Sequence, residues 1–285
     1  MKQAICRGRY GIIRAEGDQG TGNWKAWKKG MDLIFEAAHD WKQSLNGVDY
    51  PWLCWNIDDE WCKLQQKLVA LTGWVPVVGK DTNIEKPTIL PGSVFVDFNK
   101  YFQLPVMQMQ FPLEFAFLFA KRLAYWHSDF IASVADMIKF SEIFKKLKDG
   151  EMAVTWTLRG LFGFKFRKQN RIFELIGCTT ERASREQFEL GCGWWRNTHF
   201  HPNFNTAKFK KAPYYDHGTG ITIWATKFGG KVIDLDPDER RGHASNYLLK
   251  NQPKKADHRS KVEDMNEYYD LEEMATNLGI SHLLE

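Results

Sequence analysis

Residues 51–78 constrain the fold more than any other segment, because they predict a strand, a helix and a second strand in that order. The apolar run PWLCWNI leads into Asp58, a suitable helix N-cap, and Gly73 is a suitable helix end. Four apolar residues between them recur at helical spacing: Trp61, Leu64, Leu68 and Leu71. The run VPVV then predicts the second strand. Such a crossover unit is typical of a parallel α/β sheet, which binds ligands outside the carboxyl ends of its strands, where Asn56 and Asp58 lie.

The size and composition of the chain are those of a globular protein. Its 285 residues, 44% of them hydrophobic, can bury a sizeable core, and its net charge of +4 is too small to argue by itself for a polyanionic partner. The five cysteines form no C-x-x-C pair and the N-terminus lacks a secretory pattern, so we expect a reduced, cytoplasmic protein. Pro112 and Glu114 interrupt the longest apolar run, which is far shorter than the about 20 residues that cross a bilayer, so no membrane span is predicted.

The chain divides into three parts by pattern. Residues 1–48 contain an amphipathic helix, residues 49–245 carry the alternating strands and helices, and residues 246–285 form a polar linker and a last helix with Asp270 and Glu273 as its capping box. The apolar stripe of the first helix consists of Trp24, Trp27, Met31, Ile34, Ala38 and Trp41.

Three further elements are predicted inside the central part. FPLEFAFLFAKR indicates a buried helix, and Ser133 is a suitable N-cap for the helix that follows it. GITIWATKFGGKVIDL indicates two strands of a hairpin around Gly229 and Gly230.

The stretch AYWHSDFIAS contains the first candidate metal ligands. A buried strand leads into His127 and Asp129, and strand alternation points both side chains to the same side, so that they can bind one ion. A divalent cation needs two or three such ligands together with open positions for substrate oxygens. The pattern also occurs by chance, and a histidine at a strand end is more often a hydrogen-bonded structural residue.

Two later segments follow this motif. The segment TTERASREQFELGCGWW includes Arg185, Phe188, Gly191 and Gly193. The segment YYDHGTGITIWATKFGGKVIDLDPDERRGHAS includes Asp216, Trp224, Gly229, Gly230, Pro237 and His243. In this order, the three pieces resemble the metal-dependent glycosyltransferases of the GT-A fold.

The match to that family includes two departures. The family's metal motif is usually Asp-x-Asp and in some members Asp-x-His, whereas this chain has His127 and Asp129 in reversed order. The family often has an acidic residue after the glycines, where this chain has Trp194 and Trp195. Their indole rings can stack on a sugar or pack in the core.

The resemblance implies an α/β fold of the GT-A type, Rossmann-like, with a mainly parallel central sheet flanked by helices and with residues 49–245 as the catalytic domain. It implies a sugar-nucleotide donor, a hydroxyl acceptor on a glycan, protein or nucleic acid, and a Mn²⁺ or Mg²⁺ ion. Two imidazoles and one carboxylate favour Mn²⁺.

The resemblance also assigns roles to residues. The implied metal ligands are His127, Asp129 and His243, and the implied general base is Asp216, with His217 in reserve. The implied donor contacts are Asn56, Asp58, Arg185, Gly191, Gly193 and Trp194. Asp58 and Asp216 also have a simpler interpretation as helix N-caps.

Two other functions fit parts of the sequence. The basic and aromatic stretches GFKFRKQNR and KFKKAPYY suit a nucleic-acid-binding module. A metal-dependent hydrolase would draw on His127, Asp129, His199, His201, His217 and His243, although the H-E-x-x-H signature is absent from the sequence.

Overall fold

Seven strands form one mixed sheet in the computed structural model, which describes residues 24–80, 85–101, 109–157, 172–194, 218–244 and 270–285. The strands are β1 Pro51–Asn56, β2 Val75–Lys80, β3 Val94–Phe95, β4 Arg122–Trp126, β5 Glu151–Thr155, β6 Phe173–Thr180 and β7 Lys231–Leu235. Their order across the sheet is β3-β2-β1-β4-β6-β5-β7, and β6 runs antiparallel to both of its neighbours while the other pairs are parallel. The predicted α/β architecture with a mainly parallel sheet is confirmed.

Helices cover both faces of this sheet. They are α1 Trp24–Ser44, α2 Asp59–Ala70, α3 Gln110–Glu114, α4 Val134–Lys146, α5 Glu181–Glu189, α6 Thr219–Lys227, α7 Glu239–Gly242 and α8 Leu271–Asn277. Within β1, Leu53 and Trp55 join the core under α1, α3, α5 and α6, whereas Trp52 and Cys54 join the core under α2, α4 and α8. Each strand therefore contributes side chains to two cores, which is why β1 is a continuous apolar run.

The predicted helix caps are confirmed. Asp58 accepts hydrogen bonds from the backbone N–H groups of Glu60 and Trp61, at 3.0 and 3.2 Å. Ser133 accepts one from Asp136 at 3.2 Å, and Asp270 accepts one from Glu273 at 2.8 Å. These side chains supply acceptors to N–H groups that lack a partner within the helix.

The apolar faces predicted for α1 and α2 are confirmed, with one exception, at the residues whose burial the structure describes, which leaves out Trp24, Trp27 and Met31. Ile34, Ala38 and Trp41 are buried on α1, and Trp61, Leu64 and Leu68 are buried on α2. Leu71 is 52% exposed, because α2 ends at Ala70 and Leu71 is its C-cap, so the prediction that Leu71 lies on the buried face is wrong.

The hairpin predicted around Gly229 and Gly230 is wrong. Its first half forms helix α6, which buries Ile221 and Trp224 three residues apart on one side, and only its second half forms a strand, β7. The β-branched residues suggested a strand, but burial at helical spacing decides the conformation.

The single helix predicted from FPLEFAFLFAKR is also wrong, although the segment is buried. Helix α3 stops at Glu114, because Phe115 leaves the helical region with φ −109° and ψ 16°, and a 3₁₀ turn follows at Ala116–Leu118. The ring of Phe115 packs against Phe111 and Phe188, at centroid distances of 5.3 and 5.7 Å.

The division into residues 1–48, 49–245 and 246–285 stays a prediction. In the described part of the chain, α1 and α8 both pack on the cores of the sheet. In that same part, no helix combines the length and the apolar character needed to cross a bilayer.

Candidate metal site at the end of strand β4

The turn after β4 carries two of the predicted metal ligands. Strand β4 ends at Trp126, and the backbone N–H of His127 donates to the carbonyl oxygen of Leu175 on β6 at 2.8 Å. The N–H of Phe130 donates to the carbonyl oxygen of His127 at 3.1 Å, which closes a four-residue turn. His127 and Asp129 therefore lie on a short turn that is fixed to the edge of the sheet. The prediction that strand alternation aligns their side chains is wrong, because β4 ends at Trp126 and the turn brings them together.

The third predicted ligand reaches this turn from far along the chain. His243 follows α7 and forms an isolated antiparallel bridge with Phe130. The N–H of Ile131 donates to the carbonyl oxygen of Gly242, and the N–H of Ala244 donates to that of Asp129, both at 2.9 Å. These backbone bonds set the position of His243 beside Asp129.

Gly242 is required for this close approach. A Cβ at residue 242 would lie 2.2 Å from the carbonyl oxygen of Ile131 and 2.9 Å from the ring of Phe130. Because both contacts are shorter than van der Waals separation, a larger residue at this position would push the His243 segment away from the turn.

The three side chains converge at one point. One ligand atom each from His127, Asp129 and His243 lies within 4.8 Å of the others. Two ligand atoms on opposite sides of one ion are about 4.4 Å apart when each metal–ligand bond is about 2.2 Å long, so the observed spacing is compatible with a shared ion. Oδ1 of Asp129 contacts Nδ1 of His127 and lies 3.2 Å from Nε2 of His243, and the two imidazole planes are at 89°.

The surroundings of Asp129 favour its ionised form. Burial alone would raise the pKa of Asp129, but the neighbouring His243 and His127 outweigh it and hold that pKa well below its usual range. The side chain of Asp129 is 4% exposed, whereas those of His127 and His243 are 23% and 16% exposed. The cluster thus combines an ionised, buried oxygen with two imidazoles that reach solvent. The same contacts also make a hydrogen-bonded His-Asp-His network without an ion.

Sequence reasoning missed Gln65, which holds the turn from the side of α2. Its Nε2 donates to the carbonyl oxygens of His127 and Phe130, at 2.9 and 2.8 Å, with a longer contact of 3.5 Å to Ser128. Gln65 is fully buried. A signal was available in the sequence, because position 65 lies on the same helix face as the apolar Trp61 and Leu68, and a polar residue on a buried face needs hydrogen-bond partners.

The site lies where the strand order reverses. Strands β1 and β4 are adjacent and parallel, although β2 and β3 follow β1 on its other side. In open α/β sheets such a reversal leaves a crevice beyond the carboxyl ends of the two strands. Asn56 ends β1 at this edge, is 2% exposed, and has a side-chain oxygen without a hydrogen-bond partner among the described residues.

Asp58 lies at the same strand end but already has a structural role. Burial raises its pKa, although the N–H groups of Trp61 and Glu60 act in the opposite direction. Its capping bonds support the simpler interpretation of this residue, and a contact with a donor stays a prediction.

Arg185 does not lie with the candidate metal site. It pairs with Glu181 at 2.9 Å, and its guanidinium lies 5.1 Å from the ring centroid of Phe117. It lines a cavity of about 440 Å³ together with Gly150 and Lys231, at the starts of β5 and β7. Because β5 and β7 run parallel to β4, this cavity lies at the opposite end of the sheet from His127.

The glycines and the tryptophan after α5 have packing roles. Gly191 ends the helix with φ +66°, and a Cβ at Gly193 would lie 2.0 Å from the carboxylate of Glu114. Trp194 is 1% exposed and packs edge-on against Tyr125 at a centroid distance of 5.3 Å. Of the two interpretations of Trp194, the structure supports core packing, because a covered indole ring has no face open to a sugar.

The remaining predicted residues lie outside the described part of the chain. These are Asp216, His217, His199, His201 and Trp195, together with the stretches GFKFRKQNR and KFKKAPYY. Their roles stay predictions.

Comparisons of the chain with protein-family models, curated proteins and solved structures give no match. Membership of a family and the activity are therefore proposals, and they depend on the motifs and on the geometry of the site.

Proposed function

We propose that the protein is a glycosyltransferase that uses a divalent metal ion to move a sugar from a nucleoside-diphosphate donor to a hydroxyl acceptor. The observation that carries this proposal is the convergence of His127, Asp129 and His243 at the carboxyl end of β4. A metal cluster at this edge lies beyond the carboxyl ends of the strands at a reversal of the strand order, which is where open α/β sheets commonly bind nucleotides.

The three side chains are a suitable ligand set for a divalent metal ion. Imidazole nitrogens suit transition metals and carboxylate oxygen suits Mg²⁺ and Mn²⁺, so the mixed set favours Mn²⁺ and admits Mg²⁺. When bound, such an ion neutralises the negative charge that develops on a departing diphosphate. Three protein ligands leave the rest of an octahedral shell for oxygens of the donor.

One neighbouring side chain is a further candidate contact under this proposal. The amide oxygen of Asn56 at the end of β1 has no hydrogen-bond partner among the described residues, but it is buried, so a base or ribose of the donor reaches it only if the side chains that cover it move. Deprotonation of the acceptor hydroxyl requires a base within hydrogen-bond distance, a role that the GT-A resemblance assigns to Asp216. The acceptor is a hydroxyl of a glycan, protein or nucleic acid.

A thermal-shift panel tests the proposal. UDP, GDP and their sugar conjugates are each added with and without Mn²⁺, because a ligand at 100 times its Kd stabilises the folded state by about 2.7 kcal/mol. We expect at least one diphosphate to raise Tm only when Mn²⁺ is present, and Asp129→Ala to abolish the rise. Asp97→Ala is the matched control, because Asp97 is an exposed carboxylate that accepts a local backbone hydrogen bond. An equal rise in Asp129→Ala would refute the assignment.

A metal-dependent hydrolase is the second candidate, and the types of the three ligand side chains favour it. Two histidines and one carboxylate also bind catalytic Zn²⁺, which activates a water in its open position. A hydrolase of this kind binds Zn²⁺ without any requirement for a diphosphate. The same panel repeated with Zn²⁺ therefore separates the two functions. A hydrolase built on His199 and His201 would also lose its metal in the double alanine variant, whereas the transferase site would keep it.

A further inference from the structure

We propose that Gln65 is a positioning residue for the metal site and sets its affinity by holding the turn that carries His127 and Asp129. This inference rests on the metal site of the proposed function. The side chain reaches from α2 to the turn, and its two N–H groups have acceptors on both sides of Asp129, the carbonyl oxygens of His127 and Phe130.

The hydrogen bonds of the turn show why this contact matters. The carbonyl oxygen of His127 accepts from the N–H of Phe130 within the turn, but the carbonyl oxygen of Phe130 accepts from Gln65, a residue of another element. Buried carbonyl groups beyond the end of a strand have lost their ladder partners and require other donors. A single carboxamide therefore fixes both ends of the turn.

The position of the turn determines where all three ligand atoms meet. The carbonyl oxygen of Asp129 accepts from Ala244 and the N–H of Ile131 donates to Gly242, so the His243 segment is bonded to the same turn. A displacement of the turn would change the relation of Asp129 to both imidazoles. Residues that orient ligands without touching the ion commonly change metal affinity by about 10- to 100-fold when they are replaced.

The chain offers a matched control at the next position. Gln66 is as buried as Gln65, and its carboxamide also bonds to backbone, donating to Thr88 at 2.9 Å and accepting from Leu90 at 3.0 Å. Those partners lie outside the turn. Replacement of Gln66 therefore reproduces the loss of a buried amide without a change at the metal ligands.

The test is a Mn²⁺ titration of the full chain followed by the electron paramagnetic resonance signal of the free ion. Wild type, Gln65→Met, Gln65→Leu, Gln66→Met and Gln66→Leu are compared at a temperature where circular dichroism shows each of them folded. Methionine keeps the approximate length of glutamine without its donors, and leucine provides a second variant if the methionine variant does not fold. We expect Mn²⁺ affinity to fall about 10- to 100-fold in the Gln65 variants and to stay unchanged in the Gln66 variants.

The outcomes separate this inference from the proposed function. Wild-type affinity in both Gln65 variants would overturn the positioning role and leave the metal site intact. An equal loss in the Gln65 and Gln66 variants would overturn it as well, because the effect would then follow from a weakened α2. Absence of Mn²⁺ binding by the wild-type protein would overturn both the inference and the proposed site.

Discussion

Replacement of Gly242 by alanine tests how the distant third ligand is held. A Cβ at this position would lie 2.2 Å from the carbonyl oxygen of Ile131, whereas ordinary contact begins at 3.4 Å, so the two segments must separate by about 1.2 Å. Gly242 is not among the glycines with positive φ, so alanine fits its backbone conformation and the effect is steric. The separation would break the 2.9 Å bond between the N–H of Ile131 and the carbonyl oxygen of Gly242.

The magnitude follows from these contacts. Overpacking destabilises by about 1–3 kcal/mol and loss of one hydrogen bond by about 1 kcal/mol, so we expect the free energy of unfolding to fall by about 2–4 kcal/mol. For a chain of 285 residues such a loss lowers Tm by roughly 3–7 °C, because the entropy of unfolding is about 0.6 kcal/mol per kelvin. His243 would also move from its position 3.2 Å from Asp129, and we expect Mn²⁺ affinity to fall at least about tenfold.

The assay combines calorimetry for stability with a Mn²⁺ titration for affinity. Gly230→Ala is the matched control. Gly230 lies just before β7, far from the candidate metal site, and a Cβ there would lie 2.3 Å from the indole of Trp224. This control should lose stability and keep its Mn²⁺ affinity. The reasoning is refuted if Gly242→Ala loses stability but binds Mn²⁺ as tightly as the wild type.

Three smaller predictions concern single groups. Burial raises the pKa of the Cys62 thiol to about 12, so Cys62 should resist iodoacetamide at pH 8 in the native protein and react once the protein is unfolded. Rapid native labelling of Cys62, located by peptide mass spectrometry, would contradict this. Asp58→Ala should lower the free energy of unfolding by about 1 kcal/mol, and Asp58→Ser by much less, because a serine side chain can still accept the capping hydrogen bond. Equal losses for the two variants in denaturant titrations would argue against capping. Asp270→Ala should likewise lose about 1 kcal/mol, while Glu272→Ala, an exposed neighbour without that bond, should lose little.

Local signals in the sequence were sufficient for several elements of the fold. The N-caps at Asp58, Ser133 and Asp270 follow from short-range hydrogen bonding, which a few adjacent residues determine. Helix α6 was missed because β-branched residues favour strands, whereas the burial of Ile221 and Trp224 depends on tertiary packing.

The candidate metal site was predictable only in part, for a related reason. His127 and Asp129 stand out because polar residues interrupt an apolar run, but no local pattern connects them with His243. That residue was found through the order of motifs in the GT-A resemblance. Gln65 was missed because its role consists of backbone contacts across the fold, and Arg185 was misplaced because its position depends on the antiparallel direction of β6.

A crystal soaked in Mn²⁺ and measured at the manganese absorption edge tests the central claim most directly. The account predicts one anomalous peak in contact with a ring nitrogen of His127, a ring nitrogen of His243 and a carboxylate oxygen of Asp129, and no peak there in Asp129→Ala crystals. A saturating soak that gives no peak between these three side chains, or a peak only elsewhere on the protein, would contradict it.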